Sequence, residues 1–384
     1  MVQLNSSIKS EPSAGEPFRV MIVDDSAVIR GFLTRWLEAE TDIEVVAIAS
    51  NGLVALREFE RHRPEIVILD IEMPEMDGMT ALPKLIALDK DVQVIMASTL
   101  TRRNADVSMQ ALAKGAADYI AKPESTRAAD DKDTFHHGLT AKVRALGETR
   151  RSRAKISGRP QIRPVTEKAT SVVKPMAAKA PIVLRSDRPT LEPKVIAIGS
   201  STGGPQALFK LFEDLRGKTS LPILITQHMP ATFTAILAEH INKIYDKEVV
   251  EAKDGDKVVQ NRVYVAPGDW HMTVAQEGDG PVIHLNQNPP ENFCRPSVDP
   301  MLRSLLSVYN NRVLTVILTG MGHDGLNGCK ELAETGAVVI GQDEETSVVW
   351  GMPGAVANAG VCNAVLPLNK ISQAMENAIM GRPS

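Results

Sequence analysis

A glycine-rich turn, Gly199-Ser200-Ser201-Thr202-Gly203-Gly204, lies between an apolar run and an amphipathic stretch near the middle of the chain. The run before it is Val195–Ile198, and apolar residues recur at helical spacing from Leu208 to Leu215. This pattern predicts a strand, a tight turn and a helix. Such a turn presents one side chain at the carboxyl end of a sheet and directs the N–H groups of the helix N-terminus toward whatever binds there. Because the presented residue carries a hydroxyl, the turn either cradles a phosphate or holds a nucleophilic serine.

Strand and helix patterns alternate along two separate segments, which indicates two α/β domains. We predict an N-terminal doubly wound domain over residues 18–143 and a C-terminal domain with a doubly wound parallel sheet over 194–384. Residues 1–17, rich in Ser, Pro, Gly and Glu, are expected to be a disordered lead-in. The predicted strands are Arg19–Val23, Val45–Ala49, Ile66–Leu69, Val94–Ala97 and Tyr119–Ala121, then Val195–Ile198, Ile223–Gln227, Arg262–Ala266, Val282–Leu285, Leu314–Leu318 and Ala337–Gly341.

The segment between the two domains has a different composition. Residues 142–193 contain thirteen Lys or Arg but only four Asp or Glu, together with several prolines and little apolar periodicity. We predict a helical lead-out followed by a basic, flexible linker over residues 144–193. A solvated tether is the ordinary interpretation of such a segment, and binding of an acidic partner is the alternative.

The composition of the chain argues against several classes of protein. A formal net charge of −4 over 384 residues does not favour nucleic-acid binding. The three cysteines, Cys294, Cys329 and Cys362, are widely spaced, which argues against a disulfide framework or a zinc site and fits a reducing compartment. No apolar run approaches the roughly 20 residues of a membrane span, and the N-terminus lacks a secretory pattern. We expect a cytoplasmic protein with no nucleic-acid partner and no direct membrane insertion.

Polar side chains follow successive predicted strands of the first domain. Asp24 and Asp25 follow the first strand, Asp70 the third, Ser98 the fourth and Lys122 the fifth. A single aspartate at a strand end most often caps a helix, but capping does not explain five polar residues at successive strand ends. The carboxyl ends of parallel strands open on one crevice, and three carboxylates gathered there would favour a hard cation such as Mg²⁺.

These residues and the segment Leu69–Gly78 resemble the response-regulator receiver domain, a flavodoxin-like fold, over about residues 19–143. The resemblance implies that Asp70 accepts a phosphoryl group from a histidine kinase. It further implies that Asp25, Asp70 and the backbone carbonyl of Glu72 hold Mg²⁺, with the acidic side chain of Asp24 nearby. Ser98 and Lys122 would bind the phosphoryl oxygens and relay the switch, because phosphorylation adds nearly two negative charges at a strand end.

Three interpretations compete for the glycine-rich turn of the second domain. A dinucleotide site requires a second glycine where Ser201 stands, and a Walker phosphate loop requires a Gly-Lys-Ser/Thr sequence that does not follow. The third interpretation is a nucleophile elbow, since Gly199–Gly203 fits Gly-x-Ser-x-Gly with Ser201 at the bend. A nucleophilic serine needs a base, and the base needs an orienting carboxylate.

His228 and Asp324 are the candidates for that base and that carboxylate. His228 follows the strand Ile223–Gln227, and Asp324 follows the strand that ends at Leu318. All three groups are therefore expected at one edge of the sheet. The order Ser, His, Asp differs from that of α/β-hydrolases, which excludes that family but not the chemistry, because triads are defined by geometry. A lone histidine in this position would more often be a structural core residue.

Further motifs occur in order along the second domain, namely Gly199–Pro205, Gln227–Pro230, Val265–Gly268, Arg295–Asp299, Leu318–Gly325 and Gln342–Pro353. Together with the receiver pattern they resemble the chemotaxis protein-glutamate methylesterase family, with the receiver first and the esterase second. Only the lead-in and the linker lie outside the resemblance. It implies hydrolysis of glutamate γ-methyl esters, and deamidation of glutamines, on the cytoplasmic helices of methyl-accepting chemoreceptors.

The resemblance also implies the roles of individual residues. Ser201 would attack the side-chain carbonyl, His228 would transfer its proton to the leaving group, and Asp324 would fix the imidazole tautomer. Backbone N–H groups near Met321 and at Thr202 would stabilise the oxyanion. No cofactor is expected for the esterase chemistry.

The fusion of a receiver to an esterase suggests autoinhibition, in which the unphosphorylated receiver covers the catalytic strand ends. Two other interpretations remain at this stage. One is a nucleotide-dependent reductase with a receiver, against which the missing central glycine argues. The other is a signalling adaptor that binds receptors without catalysis, against which the complete set of Ser201, His228 and Asp324 argues.

Overall fold

The computed structural model describes residues 15–122, 129–156, 182–186 and 191–382. Most of the predicted lead-in over 1–17, and much of the predicted linker over 144–193, lie outside these ranges. Within them, no helix combines the length and the apolar character needed to cross a membrane.

The first domain consists of β1 (Phe18–Val23), α1 (Ala27–Glu38), β2 (Ile43–Ala49), α2 (Gly52–His62), β3 (Ile66–Asp70), α3 (Gly78–Leu88), β4 (Gln93–Ser98), α4 (Arg102–Ala113), β5 (Asp118–Ala121) and α5 (Ala129–Ile156). Its strands pair in parallel in the order β2-β1-β3-β4-β5. The core strands β3 and β4 are buried along their whole length, as in a parallel sheet covered on both faces. The doubly wound fold predicted from the alternating pattern is confirmed, and β1 and β3 end side by side.

Local chemistry fixes where several of these helices begin. Four of them start after a residue whose side-chain oxygen accepts a hydrogen bond from the N–H three residues on, namely Ser26, Asn51, Asp77 and Thr101. In α3 a glycine is also required, because a Cβ at Gly78 would lie 2.1 Å from the carbonyl oxygen of Asp70. The start of α3 therefore packs directly against the end of β3, where the Asp70 side chain emerges.

Helix α5 extends beyond the predicted domain end at residue 143, to Ile156. The apolar side chain of Leu146 is buried, and Arg144 pairs with Asp42 at 2.7 Å. Arg151 donates to the fully buried carboxylate of Glu65 at 2.7 Å. Arg144 and Arg151, which the composition alone suggests are solvated, are thus held by acidic groups of the first domain. A basic composition could not distinguish a tether from a helix neutralised by distant carboxylates.

The second domain consists of β6 (Val195–Ser200), α6 (Gly204–Asp214), β7 (Ile223–Gln227), α7 (Ala231–Ile244), β8 (Glu248–Glu251), β9 (Arg262–Val265), β10 (His271–Glu277), β11 (Gly280–Asn286), α8 (Val298–Tyr309), β12 (Val313–Ile317), α9 (Leu326–Glu334), β13 (Val338–Gln342), α10 (Met352–Asn358), β14 (Ala364–Leu366) and α11 (Leu368–Ile379). Seven strands pair in parallel in the order β14-β13-β12-β6-β7-β9-β8. The predicted parallel α/β sheet is therefore confirmed, with β6 at its centre between β12 and β7.

Two features of this domain differ from the predicted strands. The predicted strand Val282–Leu285 lies in β11, which pairs antiparallel with β10, itself not predicted from the sequence, in a separate two-stranded sheet. The short edge strands β8 and β14 were not predicted, because three or four residues carry too little periodicity to be distinguished from a loop. Neither difference affects the three central strands, whose carboxyl ends carry the candidate catalytic residues.

The two domains contact each other through β5 and α4 of the first and α7 of the second. The rings of Tyr119 in β5 and Phe233 in α7 stack with their centroids 4.3 Å apart. At the rim, His240 Nε2 lies 2.7 Å from Asp106 Oδ1, and Arg102 pairs with Glu239. This interface has a stacked aromatic centre and a charged edge, which is the usual anatomy of a contact between folded surfaces.

Candidate active site and phosphorylation site

Ser201 follows β6 at the centre of the seven-stranded sheet, and its backbone N–H donates to the carbonyl of Thr319 at 3.1 Å. The chain then turns through Gly203, whose φ of 76° is left-handed, into α6. A Cβ at Gly320 would lie 2.9 Å from the Cβ of Ser201, so that only a glycine fits beside the serine. The sequence between β6 and α6 thus forms a tight elbow with Ser201 at its apex.

Gln227, the last residue of β7, forms hydrogen bonds to this elbow. It was not assigned a role from the sequence. Its side-chain oxygen accepts a hydrogen bond from Ser200 Oγ at 2.7 Å, and its amide nitrogen donates to the carbonyl of Ser201 at 2.9 Å. A Cβ at Gly204 would lie 1.9 Å from this side-chain oxygen. Gln227 is buried, and its amide fixes both the side chain of Ser200 and the backbone carbonyl of the nucleophile candidate. Its sequence signals were its place in the motif Gln227–Pro230 and its position one residue before His228.

His228 and Asp324 are in direct contact. The Nε2 atom of His228 lies 2.7 Å from Oδ2 of Asp324, and their side chains are 11% and 2% exposed. Because β12, β6 and β7 are neighbours, Asp324, Ser201 and His228 all lie at the carboxyl edge of three adjacent strands. The structure therefore places His228 in contact with Asp324 and all three candidates at one edge of the sheet, but it shows no contact between Ser201 and His228.

Asp324 accepts hydrogen bonds from the N-terminus of α8. Its oxygens accept from the N–H of Val298 at 2.6 Å, the hydroxyl of Ser297 at 2.7 Å and the side-chain amide of Asn292 at 2.8 Å. Ser297 and Asn292 were not identified from the sequence, because they lie about thirty residues before Asp324. Burial alone would raise the pKa of Asp324, but the hydrogen bond and charge of His228 and these donors outweigh it and lower the pKa to about 2. Asp324 is therefore an ionised partner for the imidazole.

The opposite edge of the His228 ring contacts a thiol, with Nδ1 3.3 Å from the Sγ of Cys294. Burial lowers the pKa of His228, but the hydrogen bonds with Asp324 and Cys294 outweigh it and raise the pKa to about 10. These two contacts therefore favour the protonated form of the imidazole more than in a free histidine. No hydrogen bond joins the hydroxyl of Ser201 to His228 or to another residue in the described ranges.

Backbone donors suited to an oxyanion lie beside Ser201. Thr202 is buried, and its carbonyl accepts a hydrogen bond from Thr319 Oγ1 at 2.9 Å. Met321 follows Gly320, whose carbonyl accepts from the N–H groups of Gly351 and Met352. The N–H groups of Thr202 and Met321 themselves donate to none of the residues that the structure describes. Two unengaged donors next to a serine are what stabilisation of a tetrahedral oxyanion requires.

A second polar cluster lies at the carboxyl ends of β1 and β3 in the first domain. Carboxylate oxygens of Asp24, Asp25 and Asp70 all lie within 4.8 Å of one another. Lys122 bridges two of them, with its Nζ 2.6 Å from Asp24 and 2.7 Å from Asp70. Burial raises the pKa of Asp70 to about 6, against the lowering effect of Lys122. Three converging carboxylates, two of them bridged by one lysine, form an oxygen-rich site that fits a hard divalent cation.

Glu72 and Ser98, the other predicted members of this cluster, have different surroundings. The side chain of Glu72 is exposed and lies 4.0 Å from Arg103. Its backbone carbonyl accepts no hydrogen bond from any residue of the described segments. The buried hydroxyl of Ser98 lies 3.1 Å from that of Ser108 in α4, and the carbonyl of Ser98 accepts from the N–H of Lys122 at 2.6 Å. Ser98 is therefore connected to α4 and to the residue that bridges the carboxylates.

The first domain covers the edge of the second domain that carries His228. A cavity of about 660 Å³ lies between them, and one wall is formed by Lys122, Phe135 and Lys142 of the first domain. The other wall includes His228 and Cys294. A second cavity of about 920 Å³ separates the C-terminal part of α5 from the segments around Met321 and Trp350. Helix α5 thus lies beside the face on which the candidate catalytic residues open.

Comparisons with known proteins match both halves of the chain. Residues 196–375 match the family model for the CheB methylesterase, and residues 20–131 match the response regulator receiver domain. A protein-glutamate methylesterase/protein-glutamine glutaminase of group 2 operon from Rhodospirillum centenum is 54% identical over 372 residues, which cover 94% of each chain. A protein-glutamate methylesterase/protein-glutamine glutaminase from Azospirillum brasilense is 54% identical over 363 residues, 94% of this chain and 92% of the relative.

A solved structure is also similar to the second domain. The Thermotoga maritima CheB methylesterase catalytic domain is 37% identical to this chain, with a TM-score of 0.47, and the match covers 49% of this chain and 99% of that one.

Proposed function

This chain belongs to the protein-glutamate methylesterase/protein-glutamine glutaminase family, with a receiver domain and a CheB methylesterase domain, and we propose that Ser201, His228 and Asp324 perform its hydrolysis under control of Asp70. The enzyme is a hydrolase and a response regulator. Its proposed substrates are the γ-methyl esters of glutamate, and the side-chain amides of glutamine, on methyl-accepting chemoreceptors. Its proposed phosphodonor is a chemotaxis histidine kinase.

In the proposed reaction Ser201 Oγ attacks the carbonyl carbon of the ester or amide. His228 must be neutral to take the serine proton, and it then gives that proton to the leaving methanol or ammonia. Water attacks the resulting acyl-enzyme by the same proton transfers, which releases glutamate and restores the serine. Asp324 holds the Nε2 side of the imidazole, so the Nδ1 side is the one that serves Ser201.

The oxyanion that forms in each half of the reaction lies next to Ser201. The N–H groups of Thr202 and Met321 are the proposed donors, since both are adjacent to the serine and unengaged within the described chain. One such donor typically contributes about 3 kcal/mol to the transition state. None of these steps uses a metal or an organic cofactor.

Phosphorylation of Asp70 is proposed to require Mg²⁺, for which Asp25, Asp70 and the carbonyl of Glu72 are the proposed ligands and Asp24 a neighbouring charge. When bound, the ion offsets the negative charge of the incoming phosphoryl group. The carboxylates present fit it, because their oxygens converge within 4.8 Å. Lys122 currently neutralises Asp24 and Asp70, and it is the proposed partner of the phosphoryl oxygens, together with the hydroxyl of Ser98.

The control of the esterase is proposed to pass through the two segments that leave the phosphorylation site. Lys122 is three residues beyond Tyr119, which stacks on Phe233 of the esterase domain. Ser98 precedes α4, whose residue Asp106 contacts His240 at 2.7 Å. Rearrangement of Lys122 and Ser98 around a phosphoryl group would displace both the Tyr119–Phe233 contact and the Asp106–His240 contact. The receiver would then leave the edge that carries His228, which opens that edge to a receptor helix.

The observation that carries this proposal is the contact of His228 with Asp324 at the strand end next to Ser201. The test is methanol release from methyl-esterified chemoreceptor fragments, with and without acetyl phosphate as phosphodonor. We expect release that rises with the phosphodonor in the wild type, that is lost in Ser201→Ala under both conditions, and that stays at the low level in Asp70→Asn. Full activity of Ser201→Ala would refute the triad, and stimulation of Asp70→Asn would refute the control.

A further inference from the structure

The ring nitrogen of His228 that must serve Ser201 faces a sulfur atom in this structure. Nδ1 lies 3.3 Å from the Sγ of Cys294, while Nε2 contacts Asp324. The hydroxyl of Ser201 has no hydrogen-bond partner in the part of the chain that is described. Cys294, His228 and Asp324 therefore form a continuous chain of contacts, in which both ring nitrogens of the candidate base already have a partner.

The thiol of Cys294 is accessible to small molecules. Cys294 is half-buried, and it lines the cavity of about 660 Å³ between the two domains. Two cationic side chains, Lys122 and Lys142, line the same cavity. Its neighbour Phe293 is fully exposed, so the loop that carries the thiol is open to solvent. A thiol that contacts an imidazole in such surroundings is in the setting where cysteine acts as a nucleophile, because the imidazole takes its proton.

The other two cysteines provide an internal contrast. Cys329 and Cys362 are both buried in the core of the esterase domain. Burial raises the pKa of the Cys362 thiol to about 12 and that of Cys329 well above its usual value. Neither thiol contacts a described histidine. Only Cys294 combines access with a base, so an oxidant should discriminate among the three.

We propose that Cys294 is an oxidation site through which a peroxide switches the esterase off. From its neutral form, which the proposed hydrolysis also requires, His228 takes the thiol proton, and the thiolate sulfur attacks one oxygen of hydrogen peroxide. The S–O bond forms as the O–O bond breaks, and the departing hydroxide takes the proton from the imidazolium to give water. The sulfur is oxidised by two electrons to a sulfenic acid, and the peroxide is reduced.

The sulfenic acid blocks catalysis by position. Its added oxygen stands against Nδ1 of His228, in the space through which the proton of Ser201 must pass. A dithiol such as dithiothreitol reverses the change. One of its sulfurs displaces water from the sulfenic acid to form a mixed disulfide, and the second closes a ring that frees Cys294.

This inference rests on the proposed function, because it requires His228 as the base, and the test separates the two. Full-length protein is treated with graded hydrogen peroxide, the peroxide is removed, and methanol release is compared with the untreated rate of the same variant. A 1,3-dione that traps sulfenic acids is added in parallel, and the labelled positions are found by mass spectrometry. Cys294→Ala removes the thiol, whereas Cys294→Ser keeps a hydrogen-bonding group that peroxide does not oxidise.

We expect the wild type to lose at least tenfold in activity, to recover it with dithiothreitol, and to carry the label at Cys294 but not at Cys329 or Cys362. Each of the two variants should keep more than half of its own untreated activity. Equal losses in the wild type and both variants, or an unlabelled Cys294 in a fully active wild type, would overturn the proposal. If the proposed function were wrong, methanol release would not depend on Ser201. The sulfenic-acid label would in that case still show whether peroxide oxidises Cys294.

Discussion

The ring of Tyr119 in the receiver lies almost parallel to that of Phe233 in the esterase domain, at an interplanar angle of 11° and a centroid distance of 4.3 Å. Both side chains are buried, so the stack is the centre of the domain contact and not a rim interaction. Tyr119 belongs to the strand that ends just before Lys122, which bridges Asp24 and Asp70. Tyr119 at the domain contact and Lys122 at the carboxylate cluster are therefore only three positions apart along the chain.

Replacing Tyr119 with leucine should raise the activity of the unphosphorylated enzyme. The substitution keeps an apolar side chain in the receiver but removes the aromatic stack, which is typically worth about 1 kcal/mol beyond the area that it buries. A loss of that size corresponds to roughly a fivefold larger open population, since about 1.4 kcal/mol is tenfold. The measurement is methanol release without phosphodonor.

The same variant supplies its own control when it is saturated with acetyl phosphate. Its activity should then equal that of the wild type, because the interface is already open in both. An unchanged rate without phosphodonor, in a variant that melts at the wild-type temperature, would show that the stack does not hold the closed state.

Much of this architecture could be predicted from the sequence, because the carboxyl ends of parallel strands lie at the same edge of a sheet. Asp24 and Asp70 lie at the carboxyl ends of two strands that are neighbours in the sheet. Ser201, His228 and Asp324 likewise follow three neighbouring strands. For such residues, knowing which strand each one follows is enough to predict proximity.

The contacts that Asn292, Ser297 and Cys294 make with Asp324 and His228 could not be predicted from the sequence in this way. Asn292 and Ser297 reach Asp324 from a loop, where no periodicity fixes the direction of a side chain. Cys294 was recognised only as one of three spaced cysteines, and its contact with His228 depends on the path of that loop. The domain interface has no sequence signal of its own, because an apolar residue at an interface looks like an apolar residue in a core.

Asp70→Asn should stabilise the receiver domain in a pH-dependent manner as well as abolish phosphoryl acceptance. Burial raises the pKa of Asp70 to about 6, above its unfolded value of 3.8. The folded state therefore binds the proton more tightly, and this contribution to stability is lost as pH rises through 6. The asparagine variant has no such loss. Its melting temperature should exceed that of the wild type at pH 7.5 and approach it near pH 4.

Thermal unfolding of both proteins across this range checks the expectation, and Asp25→Asn is a matched control because Asp25 is exposed. If the difference in melting temperature between Asp70→Asn and the wild type did not increase from pH 4 to pH 7, the ionised Asp70 carboxylate would not destabilise the folded receiver.

Gln227→Leu should lower kcat more than it raises KM. The amide of Gln227 holds the elbow through Ser200 Oγ and the carbonyl of Ser201, and leucine has a similar volume but makes neither hydrogen bond. Misplacement of a nucleophile by about 1 Å costs on the order of a hundredfold in rate. Gln373→Leu, on the exposed face of α11 and away from Ser201, is the matched control. Equal kcat values in the two variants would show that Gln227 is not a positioning residue.

Asp324→Asn should reduce turnover on the order of 10³- to 10⁴-fold, because an amide stabilises the wrong tautomer of the imidazole. It should also move the pH profile. Burial lowers the pKa of His228, and the hydrogen bonds with Asp324 and Cys294 together raise it to about 10. Without the carboxylate the pKa falls, so the residual activity should reach half its maximum at a lower pH than in the wild type. The measurement is kcat against pH for both proteins, and a lower rate with an unmoved midpoint would assign Asp324 a purely structural role.

The contact of His228 with Asp324 should also stabilise the esterase domain within a defined pH window. The pKa of Asp324 is lowered to about 2, so its contribution is present above the unfolded value of 3.8 and is lost as pH falls through 2. The pKa of His228 is raised to about 10, so its contribution is present below the unfolded value of 6.5 and is lost as pH rises through 10. The window of greatest stabilisation therefore runs from about pH 4 to about pH 6.5.

His228→Gln keeps a polar side chain of similar size and cannot become charged, so it isolates the contribution of the imidazolium. Calorimetric unfolding of the two full-length proteins should show the largest advantage of the wild type between pH 5 and pH 6. The advantage should shrink steadily toward pH 10, where the wild-type imidazole loses its proton in the folded state as well. An advantage that instead increased with pH would mean that His228 is neutral in the folded enzyme, and that its contact with Asp324 is a hydrogen bond between a neutral ring and a carboxylate.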